Sequence, residues 1–227
     1  MNAILISAVS GVVMMFSGIL LKDNRSIRVL AHVLLLLLLA GNILELRGIS
    51  LLDVQLNGML EFDRFALLAT FLSTACTLAF FLLSSRDMEK VGLNYSDYFA
   101  LIFFILCGIA LSVSFRSLLI LFLGIEIISI PLYILSGADK RNLKSNEASL
   151  KYFLMGSFST GLMLMGIALV YGATGTFLTG KMQLADAGAQ MPVLMMTGLM
   201  LLLFALSFKV SAAPFHFWTP DVYDGAP

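Results

Sequence analysis

The sequence predicts an all-α polytopic membrane protein of about seven transmembrane helices, the seventh discontinuous. Three observations predict it. Hydrophobic residues make up 59% of the 227 and charged residues only 12%, against roughly 45–50% and 25% in an average soluble domain, and mean hydropathy is +0.97. The apolar residues fall in continuous runs of about 16–20 residues, the length that crosses ~30 Å of hydrocarbon as a helix and not the alternating ~10-residue pattern of a barrel strand. The last run carries a lysine, Lys209, and soon after it a proline, Pro214. So little charge cannot wrap a soluble enzyme of this size, and so much apolar surface excludes a disordered chain. Lys+Arg 14 against Asp+Glu 14 leaves no basic field for phosphates, which excludes a nucleic-acid binder.

The first span covers about 3–21. No basic region precedes it and no small-residue cleavage pattern ends it, so it reads as a retained span and not a signal peptide. The second covers about 29–44 and contains VLLLLLLA; the third covers about 65–83, the fourth 98–115 and the fifth 118–135. The sixth, about 152–171, carries Gly156, Ser157, Ser159, Thr160, Gly161, Gly166 and Ala168, small residues that let neighbouring helices approach. A polar outer loop follows over 172–190. The seventh span starts near Pro192 and runs to about Trp218 with an interruption. Cys76 and Cys107 sit inside apolar runs and read as small core or lipid-facing side chains, not a disulfide or metal site. The final Asp224-Gly225-Ala226-Pro227 is turn-like and reads as a cut.

Loop charge predicts orientation. Lys22, Arg25, Arg28, Arg86, Lys90, Lys140, Arg141, Lys144 and Lys151 fall on one side of a seven-span drawing, and only Arg47, Arg64, Arg116 and Lys181 on the other. The positive-inside rule makes the Lys22 side cytoplasmic and turns the N-terminus outward, to the periplasm.

The residues that cost energy where they sit carry the functional reading. A charge at mid-bilayer costs roughly 2.5–3.5 kcal/mol on insertion scales, so intramembrane ionisable groups mark ion and proton paths. Glu126 lies in the middle of the fifth span, too short and too deep to reach water; the structural alternative is a protonated carboxyl bonded to a neighbouring helix. Lys209 lies in LLLFALSFKVSAAPFHFW, with apolar residues on both sides, although a lysine nearer the edge can snorkel. Pro214 breaks a helix interior, and broken helices gather ionisable groups in wet cavities. His216 follows the break, and an imidazole there suits proton relay or plain hydrogen bonding. A Glu and a Lys on different helices suggest a pair, each holding the other charged. Lys151, at the start of the sixth span, reads as an edge anchor or a relay. His32 reads as structural, and Asp221 and Asp224 as loop carboxylates near the membrane edge.

The sequence has no P-loop, GxGxxG, CxxC cluster or paired haem-ligand histidines, so this chain itself is expected to bind no cofactor or metal and to carry no electrons.

Three segments carry a resemblance: LFLGIEIISIPLYIL, EASLKYFLMGSFSTGLMLMGIALVYGATGTF and FKVSAAPFHFWTPDVYDGAP. They closely resemble the subunit N family, one of the antiporter-like membrane subunits of bacterial proton-pumping NADH–quinone oxidoreductase, respiratory complex I. The match is strong over 121–227; before that it is mainly in span layout. The Ser-Ile-Pro-Leu-Tyr after the glutamate and the Glu-Ala-Ser-Leu-Lys-Tyr-Phe block favour subunit N over its sister subunits and over multisubunit sodium/proton antiporters.

The resemblance implies roles. Glu126 matches the family's fifth-helix glutamate and Lys209 the lysine of the broken seventh helix with which it pairs; Lys151 and His216 match positions of the proton route. It implies proton transfer driven by NADH oxidation and quinone reduction elsewhere in the complex, where NADH, FMN, iron–sulfur clusters and quinone are bound. The chain would then be part of a translocase, with other complex I membrane subunits, sister antiporter-like subunits among them, and the lipid bilayer as partners, in the bacterial inner membrane. A stand-alone monovalent cation/proton antiporter subunit is the alternative. Family members have about fourteen spans in two inverted repeats. This sequence ends after the seventh, so it is expected to be a fragment: one transmembrane domain with helices one to three over about 1–97, an incomplete first repeat over 98–227, and the C-terminal half missing.

Overall fold

A computed structural model describes residues 1–21, 23–49, 58–84, 95–182 and 192–227. Lys22, Arg86 and Lys90 of the basic loops lie outside the described residues, as does 183–190 of the outer loop. Eight α-helices are seen among the described residues: α1 (Asn2–Leu20), α2 (Asn24–Leu46), α3 (Arg64–Ser84), α4 (Tyr95–Val113), α5 (Leu118–Ser136), α6 (Leu143–Thr174), α7 (Val193–Lys209) and α8 (Trp218–Gly225). The first six are long and apolar enough to cross a membrane, and α7 is a shorter apolar helix. The chain is a multi-pass membrane protein, and a break after α7 separates it from the short helix α8.

The helices alternate in direction, as contacts at their ends show. Isolated β-bridges join Leu60 to Phe115 and Ser117 to Leu178. They bring the start of α3, the end of α4, the start of α5 and the end of α6 to one end of the bundle. Arg116 Nε donates to Glu61 Oε2 at 2.5 Å across the same corner, a hydrogen bond that raises the guanidinium above its ordinary value. At the opposite end the Ser145 hydroxyl donates to the Ser136 carbonyl at 2.9 Å, tying the start of α6 to the end of α5. The N-terminal amine pairs with Glu45 at the end of α2.

Two apolar clusters hold the bundle. Met14, Leu35, Leu38, Phe81, Phe99 and Phe103 fill the space among α1 to α4, where Phe81 meets Phe99 edge-on at 4.7 Å. Met163, Ile167, Val170, Leu202 and Ala205 join α6 to α7. Lipid supplies no hydrophobic drive between helices, so backbone contact at small residues does much of the work. A Cβ at Gly108 would lie 2.8 Å from the Gly124 carbonyl oxygen, and one at Gly166 2.8 Å from that of Gly198. These glycines let α4 reach α5, and α6 reach α7, at main-chain distance.

Two boundaries differ from the sequence reading for physical reasons. The sixth helix starts at Leu143, well before residue 152, capped by Asn142, whose side chain accepts from the Lys144 N–H at 3.0 Å. Its 32 residues reach about 48 Å, beyond the ~30 Å of hydrocarbon. The extra turns are polar and helical, helped by the Glu147–Lys151 pair at i,i+4. The seventh span breaks at Lys209, not at Pro214. Ser211 adopts a left-handed φ of 54°, Ala212 N–H donates to the Ser207 carbonyl at 2.9 Å and Ser211 N–H to that of Phe208 at 3.1 Å. This is a Schellman closure with serine where glycine is usual. Pro214, on a cis peptide with Ala213, stops any continuation beyond it.

Candidate functional site

Glu126 sits mid-way along α5, and Ser129 and Tyr133 follow it at i+3 and i+7, so the three side chains share one helix face. That face meets α6 and the last residue of α7. The Lys209 Nζ lies 3.6 Å from Glu126 Oε1, and the two side chains are only 15% and 18% exposed. The same ammonium donates to the Ser129 hydroxyl at 2.9 Å and to the Tyr133 hydroxyl at 3.1 Å, and stands 5.6 Å from the Tyr133 ring centre. Thr160, on α6, donates to Glu126 Oε1 at 2.8 Å and has a second acceptor, the Gly156 carbonyl, at 3.0 Å.

The local structure explains this placement. Lys209 ends α7, where the helix dipole favours a cation by about 0.3–1 kcal/mol. Glu126 keeps one hydrogen-bond donor and one cationic neighbour, as a carboxylate away from water requires. Tyr133 is held by edge-on contacts to Tyr152 at 4.7 Å and Phe153 at 6.0 Å, and Gly156 leaves room for its hydroxyl: a Cβ there would overlap it.

The break is packed, not frayed. Trp218, the first residue of α8, stacks on Tyr152 at 4.6 Å and 9° and donates its indole N–H to the Phe208 carbonyl at 3.3 Å. The Thr219 hydroxyl donates to that of Ser211 at 2.7 Å. Trp218 and Val222 thereby form a small core with Phe208.

Lys151 and His216 are not brought to the Glu126–Lys209 contact. Lys151 lies toward the polar start of α6, 43% exposed, bonded to Asp221 at 2.6 Å and Glu147 at 2.7 Å. Lys144 pairs with Asp224 at 3.0 Å beside it. Asp221 and Asp224 are therefore not loop carboxylates: they lie on α8 and clamp it to α6. His216 lies in the segment between α7 and α8, exposed, its ring stacked on Phe217 at 5.0 Å. His32 contacts the Arg28 carbonyl through Nδ1 at 2.7 Å and packs edge-on to Phe81 at 6.0 Å, a structural arrangement.

The chain is similar to known membrane proteins. The family model described as NADH:quinone oxidoreductase/Mrp antiporter, transmembrane, matches residues 116–227. The NADH-quinone oxidoreductase subunit N of Cytophaga hutchinsonii is 41% identical over 232 residues, covering 100% of this chain and 48% of that protein. Residues 116–227 thus match that family, and the whole length of the chain is similar to subunit N. A chain of respiratory complex I from Thermus thermophilus, solved with bound aureothin, superposes with a TM-score of 0.79 at 32% identity, covering 99% of this chain and 48% of that one. A chain of the Mrp complex from Dietzia sp. DQ12-45-1b superposes at 0.77 with 20% identity, covering 99% of this chain and 43% of that one, and shares the fold. The chain spans about half the length of the curated subunit N relatives it matches.

Glu126 and Lys209 stand out in the sequence, whereas their hydrogen-bond partners do not. Ser129, Tyr133 and Thr160 are neutral, and hydroxyls are common in membrane helices. The signal available was the i, i+3, i+7 spacing of Glu126, Ser129 and Tyr133, which places them on one face of α5.

Proposed function

We propose that this chain is a membrane-arm subunit of an NADH–quinone oxidoreductase and conducts protons through Glu126 and Lys209. NADH oxidation and quinone reduction occur elsewhere in the complex, and the chain contributes to the translocase without redox chemistry of its own. The observation that carries this reading is the half-closed Glu126–Lys209 pair at a helix break, 3.6 Å apart and mostly shielded from solvent. Two unit charges ~4 Å apart attract by about 4 kcal/mol at an effective dielectric of ~20. The ammonium therefore controls the carboxylate: with it close, Glu126 stays ionised; with it displaced by a charge moving elsewhere in the complex, Glu126 takes up a proton, and its return expels that proton.

The proposed setting is the bacterial inner membrane with the N-terminus outward, the orientation that the charge bias of the loops favours. The partners are the other membrane subunits of the complex, sister antiporter-like subunits among them. Lys151 and His216 are proposed as relay groups on the approach to the pair, which their polar and exposed positions suit.

The test uses inverted membrane vesicles from cells producing the chain. Glu126→Gln and Lys209→Ala are each expected to abolish most NADH-driven acidification per assembled complex. Wild-type acidification in both variants would remove the proton role. Transport that follows a sodium gradient without NADH would favour the antiporter reading instead.

A further inference from the structure

Building on that reading, we infer that the Ser129 and Tyr133 hydroxyls form a second station for the Lys209 ammonium, where it rests while Glu126 exchanges its proton. Ser129 and Tyr133 are thus positioning residues, and the pair switches between two satisfied states.

The distances carry it. Lys209 Nζ is 2.9 Å from Ser129 Oγ and 3.1 Å from Tyr133 Oη, but 3.6 Å from Glu126 Oε1. A charge-assisted N–H···O bond to a carboxylate runs about 2.7–2.9 Å. The ammonium is therefore seated on the hydroxyls with the carboxylate within reach of a small side-chain movement. Ser129 is arranged to receive it: its hydroxyl hydrogen is engaged by the Ile125 carbonyl at 2.7 Å, which turns the oxygen lone pairs outward. Tyr133 is wedged by Tyr152 and Phe153, with its hydroxyl in the space that Gly156 leaves.

The carboxylate has its own two-state partner. Thr160 has one hydroxyl hydrogen and two acceptors, Glu126 Oε1 at 2.8 Å and the Gly156 carbonyl at 3.0 Å. When Glu126 is ionised, Thr160 donates to it. When Glu126 carries a proton taken from water, the new O–H donates to Thr160 Oγ1, and the Thr160 hydrogen turns to Gly156. Glu126, Thr160 and Lys209 each keep a partner in either state, so the switch avoids the cost of an unpaired charge away from water. Lys209 then moves between stations without entering water or bare hydrocarbon.

The experiment compares proton pumping with NADH-driven quinone reduction, per assembled complex, in vesicles carrying the chain as the cell makes it. Ser129→Ala combined with Tyr133→Phe is expected to lower pumping about tenfold or more, the scale of losing hydrogen bonds to a charged group. Ser129→Thr, which keeps the hydroxyl, is expected to stay within about twofold of wild type. If the double variant fails to assemble, Tyr133→Phe alone decides, because it keeps the ring contacts: a severalfold loss supports the station. Wild-type pumping in the assembled double variant, or in Tyr133→Phe where the double does not assemble, overturns the station while leaving the proton role intact, provided Glu126→Gln is inactive in the same vesicles. Undiminished pumping in Glu126→Gln overturns the underlying reading instead.

Discussion

Lys209 stands 3.6 Å from the carboxylate of Glu126, close enough to attract it and too far to hold it by a full hydrogen bond. An ion pair locked at contact would resist proton exchange, and one separated by a helix diameter would not couple charge to protonation. The intermediate distance follows from the end of α7 at Lys209 and from hydroxyls on α5 that share the ammonium.

Thr160 is expected to matter through Glu126. Thr160→Val removes the donor at 2.8 Å with little change in shape, at a cost of about 1.5–3 kcal/mol for a bond to a charged group. Proton pumping per complex should fall by about tenfold, while Thr160→Ser should retain most of it. Acidification rates in vesicles, normalised to assembled complex, check this.

The closed form of the break should depend on Trp218. Trp218→Phe loses the bond to the Phe208 carbonyl and about 1 kcal/mol. Trp218→Ala also empties the stack against Tyr152, and truncating a buried tryptophan costs about 3–5 kcal/mol. The complex should inactivate thermally in the order wild type, Phe variant, Ala variant, and equal half-lives would show that the break is held by other contacts.

The clamp between α6 and α8 should be weak in energy. Lys151, Glu147 and Asp221 are 43%, 64% and 54% exposed, and water screens such exposed pairs. A double-mutant cycle with Lys151→Met and Asp221→Asn should return nearly additive losses of thermal stability, and a strongly non-additive result would show a clamp that holds α8. A larger pumping defect than stability defect in Lys151→Met is the outcome expected of a relay group.

Much of the fold was legible because burying a polar backbone in lipid leaves few solutions. The seven apolar runs became α1 to α7, and Glu126 and Lys209 stood out because charges in such runs are costly. The contact between them was not legible, because it depends on how α5, α6 and α7 pack through glycine faces such as Gly166 and Gly198. The early turns of α6 and the whole of α8 escaped notice because hydropathy reports membrane residence and not helicity. Asp221 and Asp224, at i and i+3, become a helix face only once Lys151 and Lys144 are seen opposite them. The Ser211 closure was equally hidden, since a non-glycine residue at positive φ leaves little trace in sequence.

The most direct test is infrared difference spectroscopy of the membranes during NADH turnover, following the carboxylic C=O stretch. The account predicts a protonation band that appears with turnover, shifts on isotopic labelling of glutamate and disappears in Glu126→Gln. A band unchanged in Glu126→Gln, with pumping preserved, would show that Glu126 keeps one protonation state throughout and would contradict the account.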